Sequence, residues 1–137
     1  MPNKPIPSLQ DTTASKYQIG QVWGYSTRPY ETDSYLTVVK VELLYGNEVA
    51  VHIQIDDLDM EPFELGGPPR TTASHLPFSE AALDASVTEL LDKVEVSPEY
   101  EEGYEIWREA FFEGNAGIFS ITVAEVIDLI ESTTSNQ

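Results

Sequence analysis

The chain has 137 residues, of which 24 are Asp or Glu and 7 are Lys or Arg, so its formal net charge is -17. This length fits one domain, and a hydrophobic content of 41% is enough for a folded core. A protein this acidic repels nucleic acid and anionic membranes, which excludes direct nucleic-acid binding, and it attracts basic surfaces. The absence of cysteine excludes disulfides, thiol catalysis and cysteine-based zinc sites.

The composition divides the chain into three parts. Residues 1–16 contain three prolines and many small polar residues, which predicts a disordered or loosely attached arm. Residues 17–131 are predicted to form a single α+β domain, and residues 132–137 a frayed polar tail. No apolar stretch approaches the roughly 20 residues of a membrane span, and the first residues lack the apolar core of a secretory signal. We therefore expect a cytoplasmic protein that does not contact membranes.

Residues 17–55 predict a small antiparallel sheet. Residues 35–44 are largely β-branched and aromatic or aliphatic, a composition that favours strands. In residues 48–55, valine and isoleucine alternate with other residues, so one face of this strand is aliphatic. His52 and Gln54 are expected on the opposite face.

Gly46 and Asn47 tolerate positive φ and predict a hairpin turn between the last two strands. The opening Gly20-Gln21-Val22-Trp23, followed by a polar loop and this hairpin, resembles half of a small SH3-like barrel. The resemblance covers residues 17–55 and implies a partly closed barrel as the alternative to an open sheet. No activity follows from it.

The second half of the chain predicts three helices packed on the apolar face of the sheet, because such a face must be covered. Ser79 is the expected N-cap of the first helix, which is predicted to continue to about residue 94. The apolar residues at helical spacing in this segment are Leu83, Val87, Leu90 and Val94.

The second helix is predicted to begin at Ser97 and Pro98 and to end at Gly114. A capping box formed by Thr122 and Glu125 opens the third helix, which is expected to reach about residue 131. The apolar face of the second helix consists of Tyr100, Tyr104, Trp107 and Phe111.

The second predicted helix also carries a row of glutamates at spacings of three and four residues, which places them on one side of the helix. They are Glu102, Glu105, Glu109 and Glu113. Glutamates four residues apart repel each other, and Arg108 is the one basic residue on this helix. The row is either a solvated helix face or a carboxylate surface that docks on a basic partner.

The segment 56–77 is long, rich in glycine and proline, and begins with several acids. Asp56, Asp57 and Asp59 are predicted to lie beside the glutamate row in one binding surface. Oxygen-bearing residues at alternate positions resemble the start of a calcium-binding loop. Prolines stand where such a loop needs glycine and glutamate, so we predict no metal site, and no cofactor is predicted elsewhere.

A second contact surface is predicted in the loop of residues 26–34, because arginine and tyrosine often anchor interfaces. Arg28 and Tyr30 are its candidate anchors. Arg28 has an alternative role as an ion-pair partner of Glu31 or Asp33.

His52 and His75 are the two histidines of the chain. Two histidines without cysteine do not make a transition-metal site, and a catalytic base needs a partner that sequence proximity does not identify. For His75 the simpler interpretation is a histidine in a loop that makes one hydrogen bond.

No glycine-rich phosphate loop, nucleophile elbow or two-histidine zinc helix is present. The leading hypothesis is a non-enzymatic protein-binding domain, in its most concrete form a bacterial immunity or inhibitor protein that covers the basic surface of a toxin or nuclease. The first alternative is a regulatory adaptor that binds through the sheet edge and residues 26–34. The second is a small enzyme or ligand-binding domain that uses His52 or His75. A homodimer is compatible with all three.

Overall fold

The structure, a computed structural model, describes the backbone of residues 6–135 and the side chains of residues 6–132. The described strands are β1 (Leu9–Asp11), β2 (Gln21–Tyr25), β3 (Tyr35–Leu44), β4 (Glu48–Asp56), β5 (Ala73–Ser79) and β6 (Val87–Lys93). The described helices are α1 (Glu80–Asp84), α2 (Glu101–Phe112), which follows a 3-10 turn at Pro98–Tyr100, and α3 (Val123–Ser135). The predicted α+β class is confirmed.

Neighbouring strands of the sheet are antiparallel and follow the order β5-β4-β3-β2-β6. β1 and β2 both pair with β3: Leu9 pairs with Leu44 at the end of β3, whereas Val22 pairs with Thr37 near its start. Within the described residues the edge strands β5 and β6 do not pair with each other. The sheet is therefore open, and the barrel closure implied by the SH3-like resemblance is not formed.

The β3–β4 hairpin turns where the sequence predicts a turn. Tyr45 and Gly46 have φ angles of 52° and 76°, in the left-handed region that glycine adopts without strain. The bend begins one residue earlier than predicted, and the Asn47 N–H donates to the Leu44 carbonyl at 3.0 Å. The turn sets the register of the hairpin as far as the pairing of Lys40 with His52, beyond which the register shifts.

Helices cover both faces of the sheet. α1 and α3 pack on the face that carries the fully buried Val51 and Ile53 of β4, the main core of the domain. Ala50 precedes Val51 and faces the other way, so the cluster that Ala50 joins lies on the opposite face, below α2. This smaller cluster consists of Leu44, Ala50, Tyr104, Trp107 and Phe111. The structure thus differs from the predicted packing of three helices on one face, because the second face also carries apolar residues that need cover.

The first predicted helix is largely wrong. Ser79 caps α1 as expected, with its hydroxyl accepting from the Ala82 N–H at 3.1 Å, but α1 ends at Asp84. Residues 87–93, expected to continue this helix, form β6 against β2. Apolar spacing in a short run does not distinguish a helix from a strand. Residues 87–93 form a strand because the open edge of β2 offers hydrogen-bond partners to their backbone groups, and they do the same for β2.

β6 is an exposed edge strand in which Leu90 and Leu91 are each 52% exposed. Its pairing with β2 has register shifts on both sides of Trp23, and charged residues lie along it. Bulges and charges are features with which proteins prevent an edge strand from pairing further. This edge therefore gives little support to binding by strand addition.

The segment predicted to be a loose N-terminal arm contributes to the sheet through β1. Just beyond it, Tyr17 is buried and donates its hydroxyl to Asp84 at 2.7 Å. The burial of this ring against the core connects the start of the domain to α1. Residues 1–5 of the predicted arm lie outside the described part of the chain.

α3 begins as the capping box predicts, with the Glu125 carboxylate accepting from the Thr122 N–H at 3.0 Å. The helix continues to Ser135 instead of ending near residue 131, and residues 136–137 lie outside the described part. Across residues 6–135, every helix is too short or too polar to cross a membrane.

Candidate functional site

The outward side of α2 carries the glutamates that the sequence predicts as a row. They are all exposed, because the other side of the helix packs against the sheet. Their spacing of three and four residues aligns them along the helix surface. These residues are Glu102, Glu105, Glu109 and Glu113.

An isoleucine that the glutamate pattern does not predict lies within this row. Ile106 is 65% exposed, four residues after Glu102 and three before Glu109, so both glutamates flank it on the helix surface. Phe112 lies beside the row and is 41% exposed, with the guanidinium of Arg108 4.9 Å from its ring centre. This surface is termed the α2 outer face, and it consists of Glu102, Glu105, Ile106, Glu109, Phe112 and Glu113.

In the described part of the chain, no ion pair engages the glutamates of the α2 outer face. Glu105 and Glu109, and likewise Glu109 and Glu113, are like charges four residues apart. Each such pair destabilises a helix by about 0.2–0.5 kcal/mol. The isolated protein is therefore less stable with this face than it would be with a neutral one.

The inward side of α2 fastens the helix to the sheet. Tyr104, Trp107 and Phe111 pack in the smaller cluster, and the Trp107 indole N–H donates to the Gly117 carbonyl at 2.8 Å. Gly103 allows α2 to approach β5 closely, since a Cβ at this position would lie 3.1 Å from the Cβ of a β5 histidine. The helix is thus held by aromatic packing at a short distance from the strands.

A buried polar network that contains both histidines lies between α2 and the sheet. His52 of β4 is fully buried, with Nε2 2.9 Å from Glu42 Oε1 and Nδ1 2.8 Å from His75 Nε2. The Tyr104 hydroxyl donates to the other Glu42 oxygen at 2.7 Å. The expectation that His75 lies in a loop is wrong, because the residue belongs to β5 and contacts His52 on the same sheet face.

An irregularity in β3 brings Glu42 into this network. Leu36 and Val38 face the main core before a register shift, and Val41 faces it afterwards. The shift inverts the alternation along the strand. Glu42 therefore faces α2 and His52, whereas regular alternation from Val38 would place its carboxylate in the apolar core.

Burial and hydrogen bonding set the charges in the network. Burial alone would raise the pKa of Glu42, but hydrogen bonds from His52 and Tyr104 outweigh burial and hold this pKa below its usual value. Burial lowers the pKa of His52 despite the opposing effect of Glu42, and it lowers the pKa of His75 to about 3. Near neutral pH, Glu42 is therefore a carboxylate and both imidazoles are neutral.

These charges assign the hydrogen positions. A carboxylate only accepts, so His52 Nε2 carries the hydrogen that is donated to Glu42. The Nδ1 atom of that neutral ring is then an acceptor, and His75 donates to it from Nε2. The arrangement joins α2 to the sheet and leaves no free lone pair on His52 for a substrate.

A cleft of about 210 Å³ lies between β3, β4 and the segment that follows β6. Thr37, Gln54 and Glu95 are among its polar lining residues, and neither histidine lines it. Within residues 6–135, no group of three or more His, Cys, Asp or Glu side chains is arranged to hold a metal ion. A ligand bound in this cleft would therefore contact neither histidine.

Arg28, a predicted interface anchor, is 4% exposed and belongs to an internal ion-pair cluster. Its guanidinium donates two hydrogen bonds of 2.8 and 2.7 Å to Glu31 and reaches Asp128 and Glu131 of α3 at 3.0 and 2.8 Å. Glu31 is the largest of the influences that raise the pKa of Arg28. The ion-pair alternative with Glu31 is the one observed, so Arg28 does not reach the surface. Tyr30, whose ring centre lies 4.8 Å from the guanidinium, is 58% exposed.

The predicted aspartates at the end of β4 and after it do not extend the α2 outer face. The Asp59 N–H donates to Glu31 at 2.7 Å, within the Arg28 cluster that joins α3. Since α3 and α2 lie on opposite faces of the sheet, Asp59 and the glutamate row belong to different surfaces. Asp56 and the exposed Asp57 lie at the far end of the hairpin from its turn. The predicted single acidic surface is thus divided.

No protein-family model matches the chain, and comparisons with curated proteins and with solved structures gave no significant match. Its function therefore has to be inferred from the chemistry of its own surfaces. Two features stand out in that chemistry: the α2 outer face, which is exposed, and the histidine network, in which His52 is fully buried and His75 is partly exposed.

Proposed function

We propose that this chain is a non-enzymatic binding domain whose α2 outer face covers a basic surface of another protein. The supporting observation is an exposed isoleucine, Ile106, among glutamates that form no ion pair within the described residues. A helix face that only meets solvent needs neither the isoleucine nor the like charges. A binding face uses both, because carboxylates accelerate association and a buried apolar side chain supplies affinity.

The more specific proposal is a bacterial immunity or inhibitor-type protein that acts on a nuclease or another cationic toxin. From Glu102 to Glu113 the row extends over about 16 Å of helix axis, at 1.5 Å per residue. A row of negative charge of this length is suited to a groove that normally holds a phosphate backbone. Complementary charge of this kind raises association rates to about 10⁸–10⁹ M⁻¹s⁻¹ at low salt. A cytoplasmic location is part of this proposal.

Two alternatives have weaker support. An adaptor that uses residues 26–34 needs Arg28 at its surface, but this side chain is 4% exposed. Tyr30 alone then supplies a single anchor. An enzyme or ligand-binding domain needs an accessible histidine, but His52 is fully buried and both of its nitrogens are hydrogen-bonded. His75 is partly exposed, and its Nε2 is hydrogen-bonded to His52.

Two variants of equal net charge test the position of the carboxylates. Both replace four exposed glutamates with glutamine, so any difference between them comes from location and not from total charge. The outer-face variant changes Glu102, Glu105, Glu109 and Glu113. The control variant changes Glu48, Glu64, Glu89 and Glu95.

Proteins captured from a bacterial lysate by the immobilised wild type are identified, and the affinity of the main basic ligand is then measured for each variant at low and high salt. We expect the outer-face variant to bind at least about tenfold more weakly and the control within about twofold of wild type. We also expect wild-type binding to weaken with salt. Equal weakening in both variants, or binding that salt does not change, contradicts the proposal.

Ile106→Ala separates the apolar contribution from the electrostatic one. Removal of a central apolar anchor should accelerate dissociation, whereas loss of the glutamates should slow association. Surface plasmon resonance with the captured ligand measures both rates. An Ile106→Ala variant with wild-type dissociation would place the contact elsewhere on the protein.

A further inference from the structure

The two histidines of the chain contact each other below α2. Their rings stack with centres 5.0 Å apart. His52 meets Tyr104 and Trp107 of α2 edge-on, with ring centres 5.1 and 4.8 Å away. α2 therefore covers His52 completely and His75 in part, and its displacement would expose both rings fully to water.

Geometry limits the number of protons that the pair holds. The facing atoms, His52 Nδ1 and His75 Nε2, are 2.8 Å apart and share one hydrogen. If both rings were cationic, two N–H groups would point at each other, so at most one ring is cationic while the pair is closed. Two imidazoles in water each take up a proton independently. The closed pair thus binds fewer protons than the open one.

The charged groups around the histidine pair do not remove this difference in bound protons between the closed and open states. Glu42 contacts His52 and stabilises one cation there, whereas Lys40 and burial oppose it. No carboxylate bonds to His75 in the described part of the chain. The titratable and charged side chains that face the pair and its immediate neighbours are Asp11 of β1, Lys40 and Glu42 of β3, Tyr100 of the 3-10 turn, and Tyr104, Glu105 and Arg108 of α2.

We propose that the His52–His75 pair makes the docking of α2 on the sheet sensitive to pH, so that mild acid releases the helix. When α2 lifts, both rings become fully solvated, lose their shared hydrogen bond and are protonated below about pH 6.5, where free histidine titrates. The open state then binds one or two more protons than the closed state. By mass action, acid shifts the equilibrium towards the open state.

On the proposed function, this transition regulates binding, because α2 carries the outer face. Release of α2 from the sheet removes the fixed helix on which Ile106 lies between Glu102 and Glu109. A basic partner that binds near neutral pH then dissociates in mild acid. The regulatory step rests on the proposed function, whereas the release of α2 does not.

Hydrogen exchange of the α2 amides, in the full chain without a partner, tests the release. Exchange rates corrected for their intrinsic pH dependence give the opening constant of α2 between neutral pH and about pH 5. Ordinary Asp and Glu side chains titrate near pH 4 and no third histidine exists, so a change in this range reports the pair. We expect the α2 opening constant to rise about 10- to 100-fold per pH unit below about pH 6, with the β3 amides more protected throughout.

His75→Gln is the matched variant, because the glutamine amide keeps a donor for His52 Nδ1 but does not titrate. We expect the pH dependence of α2 opening to fall by about one proton, which is a tenfold smaller change per pH unit. Equal pH dependence in the two proteins contradicts the proposal. The proposal is also contradicted if α2 opening in the wild type does not depend on pH, or if α2 opens only together with β3. These two outcomes are measured on the wild type, so they test the proposal even if the variant does not fold.

The regulatory step has a separate measurement. The affinity for the captured basic ligand is compared at neutral pH and at about pH 5.5, for wild type and for His75→Gln. We expect a loss of binding in acid that is larger for the wild type. Equal losses would contradict regulation and leave the release of α2 in place. Failure of the glutamine variants described above would contradict the binding function and again leave that release in place.

Discussion

The two faces of the sheet are built from different chemistry. On the face of α1 and α3, fully buried apolar side chains such as Ile53 and Phe78 fill the space between strands and helices. On the face of α2, aromatic rings enclose a carboxylate, Glu42, and the stacked histidine pair. The comparison indicates that the first face determines whether the domain folds, and the second how firmly one helix is held.

The two faces therefore respond to different conditions. The aliphatic side chains of the apolar face do not titrate, and burial raises the pKa of Tyr17 and Tyr25, so this packing contributes little pH dependence between pH 5 and pH 7. The α2 face depends on neutral histidines below the helix and on like charges above it. Mild acid protonates the histidines, and salt weakens the repulsion between the like charges.

The largest expected effect is on the apolar face. Phe78→Ala removes a fully buried ring and should lower the free energy of unfolding by about 3–5 kcal/mol. Phe111→Ala, at a buried position of α2, should increase the opening of α2 before it affects the sheet. Urea unfolding and hydrogen exchange measure the two effects. If Phe111→Ala lowers the protection of β3 as much as that of α2, the two faces are not independent.

A comparable loss of stability is expected from the ion-pair cluster that joins residues 26–34 to α3. Arg28→Met leaves Glu31, which is 3% exposed, without its cation and should cost about 3–5 kcal/mol in urea unfolding. Lys16→Met is the control, because it breaks an ion pair with Asp84 whose side chains are 61% and 44% exposed. The control should cost at most about 1 kcal/mol. Similar losses in both variants would show that the burial of Arg28 has no energetic consequence.

The pH dependence of unfolding sharpens the contrast further. The pKa values of His52 and His75 are depressed in the folded state, to about 3 for His75, so unfolding takes up protons once the pH falls below about 6.5. The stabilisation is complete above that pH and is lost as the pH decreases towards the folded pKa values. The free energy of unfolding from urea titrations should therefore decrease from pH 7 to pH 5, by at most about 1.4 kcal/mol per pH unit for each histidine, and the urea midpoint should decrease with it. A midpoint that rises over this interval, or a His75→Gln variant with an unchanged slope, would refute the assignment.

The smallest effect concerns the α2 outer face. Glu109→Gln removes two repulsive pairs, with Glu105 and Glu113, and should raise the free energy of unfolding by about 0.5 kcal/mol. Glu125→Ala should lower it, since that carboxylate accepts the Thr122 N–H at the start of α3. Thermal unfolding at low salt compares the two. A destabilised Glu109→Gln variant would show that the row contributes to folding, and would weaken its assignment to binding.

The elements that the sequence predicted well are those whose signals are local. Alternation of aliphatic residues in β4 and the aromatic spacing of α2 specify which side of each element is buried. The capping residues of α1 and α3 lie within four residues of the groups they cap. The segment 87–93 has no such local signal, since its apolar spacing fits a helix and its strand state depends on pairing with β2.

The candidate site was predictable to a similar extent. The glutamate row follows from helical spacing, and the exposed Ile106 had a signal that was missed, an isoleucine on the charged side of an amphipathic helix. The sequence contains no such signal for the burial of Arg28 or for the position of Glu42 beside His52. Arg28 is buried because α3 supplies its ion-pair partners, and Glu42 faces His52 because of the register shift in β3.

By itself, the sequence determined the acidity of the domain, its α+β class, the hairpin of β3 and β4, and the two sides of α2. Only the tertiary structure decided that helices lie on both faces of the sheet, that His52 meets His75 across 23 residues, and that Arg28 meets Asp128 across 100. The reason is physical. A periodic pattern specifies which side of an element avoids water, whereas the partner that covers this side depends on how distant strands and helices pair.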